Sequence, residues 1–456
     1  MNPFASPDNL DPEFQSFLAE ANSHLCNWFS QAGKSGPLPK KILNPDIAPK
    51  IEGLKTTDLI KDLQIIMDGA YQPSHPGALA HLDPPPLTAS IIADLICGGL
   101  NNNLLAEELS PTLSNLERLL CKWFCNRLSL PESAGGVAAS GGSLSNLMAL
   151  VVARQESGLQ GNSEVVLLAS EDAHVSLNKA LRVMGLPSEA LQKIPTNDSG
   201  QISLSLLIQK LNKLKSNGKK CFAVVATLGT TVRGAIDPLI SLADICKKEG
   251  IWFHVDGAIG GIFALSEQTS HLTDGISLAN SITLNPQKIL GITKTSSLLL
   301  VSNISSLTNT FSMGIPYIEP TEGNLTNRSE LGLQGTRSGE ILKLWIGLRQ
   351  LGQKGVEKLL EEAISRREYF QKRLNSSKFD IIAGPLHLIC FTPKDIDMHR
   401  SETWSSSIRN KLLSEKFMLS RPLYQKRYYI KAVMGNPHTT FQHLDDLAAL
   451  INNFEA

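Results

Sequence analysis

The sequence predicts an α/β fold: a mostly parallel sheet with helices on both faces, followed by a small C-terminal α/β domain. Three observations carry that expectation. After Gly161, short apolar runs alternate with longer amphipathic ones: EVVLLAS then AHVSLNKALRVMG, SLSLLIQKLNKLKS then CFAVVATLGTT, LISLADICKKEG then IWFHVDGAIGG. Strand and helix taking turns in this way is the pattern of parallel strands joined by crossover helices. A glycine-rich run, GGVAASGGS, leads directly into the helical pattern SNLMALVVARQES. Polar residues also recur at the carboxyl ends of the apolar runs, the edge at which such sheets bind ligands.

At 456 residues the chain is too long for one simple core, so one large domain with smaller terminal pieces is expected. Forty-three basic residues balance forty-three acidic ones, which leaves no net field to attract nucleic acid or an anionic membrane and favours a small-molecule partner. The start, MNPFASPDNLDPEF, lacks the basic and apolar segments of a signal peptide, and no apolar run reaches membrane-spanning length, so a cytoplasmic location is expected. Seven cysteines are scattered, and the one close pair, Cys121 and Cys125, has no second pair or neighbouring histidine to complete a zinc site. They read as buried thiols on a helix, and no metal is expected.

Residues 1–88 read as an arm: helical patterns over 12–29 and 57–67 are separated by proline and glycine, and HPGALAHLDPPPLTAS is held extended by three consecutive prolines. A segment this rigid can line a pocket. Residues 89–340 form the expected large domain, opening with helical spacing over 89–97 and 114–124. The helix after GGVAASGGS takes Ser143 or Ser145 as its cap, and its free N–H groups suit a phosphate. Residues 341–456 begin with a long helical region broken near 352–355, then mix candidate strands (FDIIAG, LHLICF, YYIKAVM) with helices over 403–414 and 441–454.

His174, Thr230, Thr231, Asp256 and Asn285 with Lys288 fall at successive strand ends. Singly, a loop histidine is ordinarily solvated and a strand-end aspartate caps a turn. Their joint placement fits the needs of pyridoxal 5'-phosphate. Its aldehyde takes a partly desolvated lysine amine, for which Lys288 is the candidate, and its pyridine nitrogen takes a carboxylate, for which Asp256 serves. Gly142, Ser143 and the helix start offer fixed donors to the phosphate, and His174 can stack on the ring.

SGGSLSNLMAL, SEDAHVSLNKA, TLGTTVRGAIDP, HVDGAIGG, NPQK and GTRSGEILKLW, in this order, resemble the group II pyridoxal phosphate-dependent decarboxylases of glutamate, cysteine sulfinate, diaminobutyrate and aromatic amino acids. The resemblance runs from about His75 to the C-terminus. It implies a type I, aspartate aminotransferase-like fold, and a homodimer with active sites at the subunit interface and the N-terminal arm packed on the partner. It places Lys288 on the lysine that bonds the aldehyde, Asp256 on the pyridine-nitrogen partner and His174 on the stacking histidine. Gly142 and Ser143 fall on the phosphate loop, and Thr231, Ala258 and Asn285 on further cofactor contacts. A family tyrosine, supplied to the neighbouring site and assigned reprotonation of the substrate carbon, falls on Tyr317.

Three positions depart from the family pattern. Gln287 precedes the lysine where the family usually has histidine; it can donate a hydrogen bond but carries no charge. Lys431 stands where glutamate decarboxylases carry an arginine, and a point-charge lysine is not equivalent to a bidentate fork. By the same resemblance Asp83 aligns with an uncharged residue of the glutamate enzymes' pocket and would repel an acidic side chain, with His81 beside it to offset the repulsion.

The expected activity is therefore amino acid α-decarboxylation, releasing carbon dioxide and an amine. The substrate would be a small polar or charged amino acid: diaminobutyrate, aspartate, glutamate or cysteine sulfinate. Another carbon–carbon lyase or an aldehyde-forming decarboxylase of the same fold is the alternative, and a non-catalytic dimer the alternative of another class. Tyr317 separates amine from aldehyde production, since aldehyde-forming members tend to lack it.

Overall fold

The computed structural model describes residues 4–314 and 326–455. Seven strands form the central sheet: β1 (Gly135–Ala139), β2 (Val166–Ser170), β3 (Leu191–Ile194), β4 (Cys221–Thr227), β5 (Trp252–Gly257), β6 (Ser281–Leu284) and β7 (Ser297–Val301). Their order is β1-β7-β6-β5-β4-β2-β3. The strands from β3 to β6 are parallel, whereas β7 runs antiparallel to both its neighbours, β6 and β1.

β2, β4, β5 and β6 are the apolar runs that the sequence marks as strands. They are covered on both faces: Leu167, Leu168, Val224, Val225, Val255 and Ile282 are all fully buried. Burying each such side chain contributes about 1.5–3 kcal/mol. β1 lies in the glycine-rich run GGVAASGGS, which carries no strand pattern, and opens with paired glycines. The sheet needs them, since a Cβ on Gly136 would lie 2.5 Å from the Leu299 carbonyl oxygen on β7.

The helix Ile341–Arg373 is interrupted at Gly352, whose φ of 60° is left-handed backbone that glycine adopts freely, where the break was expected. Beyond it, β8 (Phe379–Ala383), β9 (Leu388–Pro393) and β12 (Ile430–Val433) form an antiparallel sheet, with the short pair β10 (Leu423–Tyr424) and β11 (Arg427–Tyr428) beside it. Helices Met398–Ser414 and Phe441–Asn452 pack with it around Phe379, Phe391, Trp404, Ile408 and Leu447. This layer reaches the large sheet through Tyr424, whose Oη donates to Asp172 Oδ2 at 2.7 Å, and Lys431, whose Nζ donates to the Thr231 carbonyl at 3.3 Å.

An ion triad built on the fully buried Glu117 anchors the segment that follows residue 325. Glu117 on helix Pro111–Arg127 meets Arg328 and Arg337. Burial alone would raise the Glu117 carboxyl, but the two guanidinium groups outweigh it and hold it at about 2. In the arm, helices Pro12–Ser30 and Thr56–Asp68 are joined by Trp28 Nε1 donating to the Met67 carbonyl at 2.8 Å. The first of these helices buries none of its residues, and Ile42, Ile47 and Ile51 stand fully in solvent. Among the described residues no helix is long and apolar enough to cross a membrane.

Candidate active site

The carboxyl ends of β4, β5 and β6 and the start of helix Gly142–Glu156 enclose a cavity of about 170 Å³. Gly142, Ser143, Asn146, His174, Thr231, Asp256, Ala258, Asn285 and Lys288 line it. Every cofactor-contact candidate of the sequence analysis is in that set. Tyr317 lies outside the described residues.

Lys288 sits on the one-turn helix Gln287–Leu290, directly after β6. Burial lowers the pKa of its amine below the ordinary lysine value, and the Asp256 and Asp83 carboxylates offset part of that shift. A larger share of Nζ is thus the free base, the nucleophilic form. Asp256, near the end of β5, is 6 % exposed. Its Oδ2 accepts from Asn146 Nδ2 at 2.8 Å and its Oδ1 from the Ala258 N–H at 3.2 Å.

The helix Gly142–Glu156 begins at Gly141 without any side-chain cap, so the expected capping by Ser143 or Ser145 is not observed. Ser145 instead hydrogen-bonds Ser297 Oγ at 2.8 Å inside the fold. Ser297 Oγ donates to Asn285 Oδ1 at 2.7 Å, which fixes that amide and leaves its Nδ2 facing the helix start. An uncapped start is a ready anion site. A Cβ on Gly142 would stand 2.8 Å from Asn285 Nδ2. Gly142→Val is therefore expected to overpack the loop by about 1–3 kcal/mol and weaken cofactor affinity about 5- to 100-fold, measured by titrating the apoprotein.

His174 is exposed at the mouth of the cavity. The protein packed behind it lowers its pKa: burial dominates, Asp256 opposes it, and Lys288 and Lys179 add to it. Its Nδ1 accepts from the Ser176 N–H at 3.2 Å, so the neutral ring carries its proton on Nε2. Thr231 lines the cavity, but Thr230 does not converge on it as expected: its hydroxyl accepts from the Ala235 N–H at 3.0 Å and holds the turn after β4.

Asp83 ion-pairs with Lys294 at 3.1 Å. Burial, with Lys431 next, lowers the His81 imidazole pKa, and the nearby Asp83 carboxylate opposes that shift. His81 packs edge-on to Tyr71. Lys431 is 8 % exposed, and burial pushes it down to about 8. No carboxylate among the described residues pairs with it. Gln287 turns its Oε1 to the Ser296 N–H at 2.6 Å, which leaves its amide nitrogen as the free donor.

Sequence reasoning missed Asn146 and Thr227. Asn146 lies four residues after Gly142, one helical turn on, so the spacing already placed both on one face. Thr227 Oγ1 is buried in the cavity wall without a hydrogen-bond partner. An orphaned hydroxyl, an uncapped helix start, a glycine that admits no side chain, a desolvated amine and a carboxylate together fit pyridoxal 5'-phosphate.

Residues 37–394 match the family described as the pyridoxal-dependent decarboxylase conserved domain, and the chain belongs to it. The protein is a pyridoxal phosphate-dependent amino acid decarboxylase, a carboxy-lyase. It is 31% identical over 379 residues to an aromatic-L-amino-acid decarboxylase of Bacillus atrophaeus, covering 81% of this chain and 79% of that one. With an L-2,4-diaminobutyrate decarboxylase of Rhizobium meliloti it shares 28% identity over 382 residues, 82% of this chain and 77% of the other. The crystal structure of mouse CSAD in apo form superimposes with a TM-score of 0.90 at 22% identity, covering 97% of this chain and 99% of that one. The fold is thus the type I fold of pyridoxal phosphate enzymes.

Proposed function

We infer that the substrate is a small polar or charged amino acid, with L-2,4-diaminobutyrate first and aspartate, glutamate and cysteine sulfinate next. The observation that carries this reading is the Asp83–Lys294 pair. Asp83 is fixed on a prolyl segment and 30% exposed, whereas Lys294 is 59% exposed. Exposed pairs of this kind are worth about 0–1 kcal/mol, so a substrate ammonium displaces Lys294 at little cost. An acidic side chain would use the Lys294 ammonium instead, which makes it the second reading. Carbon dioxide release by the cofactor-loaded enzyme across a panel of amino acids decides between them. Asp83→Asn should cost diaminobutyrate turnover selectively; equal losses for all substrates would reject the cationic reading.

Within the reaction, Lys288 would hold the cofactor by its aldehyde. Lys431 receives the substrate carboxylate. The bound cofactor supplies the electron-accepting ring. Asp256 would keep the ring nitrogen protonated, His174 would stack on the ring, and Tyr317 or His174 would return a proton to the substrate carbon. The enzyme works as a homodimer, a reading supported by the arm that buries none of its first helix and exposes Ile42, Ile47 and Ile51.

Lys431 gives this site a pH dependence. Its ammonium is complete well below pH 8 and is lost as pH rises through about 8. The KM for substrate is expected to climb above that pH, and Lys431→Met should raise KM at pH 7 and flatten the climb.

A further inference from the structure

Behind Asp256 runs a line of buried polar side chains that the chemistry above does not use. Trp252 Nε1 donates to Ser281 Oγ at 2.8 Å, and Ser281 Oγ lies 2.8 Å from His254 Nδ1. His254 Nε2 is 3.1 Å from Asn146 Oδ1, and Asn146 Nδ2 donates to Ser176 Oγ at 2.9 Å and to Asp256 Oδ2 at 2.8 Å. Asn146, His254 and Ser281 are 2%, 0% and 0% exposed, so bulk water reaches none of them.

We propose that Asn146 and His254 are positioning residues that hold Asp256 as a carboxylate, through a one-directional chain of hydrogen bonds running Trp252, Ser281, His254, Asn146, Asp256. The proposal rests on Asp256 being the partner of the cofactor ring nitrogen.

The carboxylate at the end of the chain sets its direction. An indole N–H only donates and a carboxylate only accepts. Ser281 Oγ accepts from Trp252 and turns its own hydrogen to His254 Nδ1, which also lies 3.1 Å from the Ser281 carbonyl oxygen. That nitrogen then bears the lone pair, and the proton of the neutral ring sits on Nε2, where it donates to Asn146 Oδ1. The Asn146 amide is thereby oriented with both N–H groups toward Ser176 and Asp256. Burial pushes His254 down to about 4, with the Asp256 carboxylate opposing, so the imidazole in the chain is neutral at pH 7. A neutral Asp256 donating from Oδ2 would reverse the chain and place the imidazole proton on Nδ1, where the Ser281 Oγ or carbonyl would accept it. Aligned hydrogen bonds polarise one another, so the carboxylate gains from the whole line and not from Asn146 alone.

The first test reads the tautomer in the wild-type chain, with one variant used for assignment only. In ¹⁵N-histidine-labelled holoenzyme, the His254 resonance, identified by its loss in His254→Gln, should show the Nε2–H tautomer at pH 7. An Nδ1–H tautomer or an imidazolium there would overturn the proposal. The second test is cofactor affinity, read by titrating apoprotein and following visible absorption. Outer partners of a binding group typically shift affinity by about 10- to 100-fold, so His254→Phe should weaken binding at least about tenfold. It should also lower kcat while leaving the KM for the amino acid unchanged. His254→Gln, whose amide can still donate to Asn146, should recover most of the loss. Wild-type affinity and kcat in His254→Phe would overturn the relay while Asp256→Asn still weakened binding. Wild-type affinity in Asp256→Asn itself would instead overturn the reading of Asp256, and the relay with it.

Discussion

Lys288→Ala is expected to lower carbon dioxide release by at least about a thousandfold, equivalent to roughly 4 kcal/mol of barrier. Borohydride treatment should fix the cofactor to the wild-type chain and leave none on the variant, a result read directly by mass spectrometry. The reason is the environment of Nζ. It is a buried amine with its pKa lowered by desolvation, at the end of β6 and on the wall of the cavity. Its neighbour Lys431 is also buried and also lowered, yet its Nζ is held by the Thr231 carbonyl and it lies outside the set of residues lining that cavity. Cofactor fixed to Lys431 in the Lys288→Ala variant, with activity retained, would overturn the assignment of Lys288.

Asp256→Ala should cost about a hundredfold or more in turnover and weaken cofactor binding in parallel, because two contributions are lost together. The ring nitrogen loses its anionic partner. In addition, Asn146 Nδ2 and the Ala258 N–H lose their acceptors inside the fold. A buried donor left unpaired costs about 1–3 kcal/mol, so the unfolding midpoint of the apoprotein should fall as well. Equilibrium titration with the cofactor and thermal unfolding of the apoprotein separate the two losses. A variant that is destabilised yet binds cofactor and turns over like wild type would leave Asp256 a structural residue only.

Lys288, Asp256, Gly142 and His174 were legible as a group because covalent chemistry, ring protonation and phosphate binding each restrict residue type, and the alternation of strand and helix put them on one edge of the sheet. The rest was hidden for identifiable reasons. β1 looked like loop because its glycines answer to atoms on β7, a strand far along the chain. Thr230 and Thr231 are adjacent in sequence and equivalent in type, and only the turn after β4 decides which one reaches the cavity. Ser145 satisfied the rule for a helix cap, but Ser297 on β7 claimed its hydroxyl.

The sequence by itself determined the fold class, the cofactor and the family, since these depend on local periodicity and on residue types that no other chemistry needs in that order. Tertiary structure alone decided which charges meet. Asp83 pairs with Lys294, Lys431 has no carboxylate partner among the described residues, and Asn146 joins Asp256 to His254. Long-range pairing of this kind depends on packing and burial, which set the strength and the sign of each interaction and leave no periodic trace in the chain.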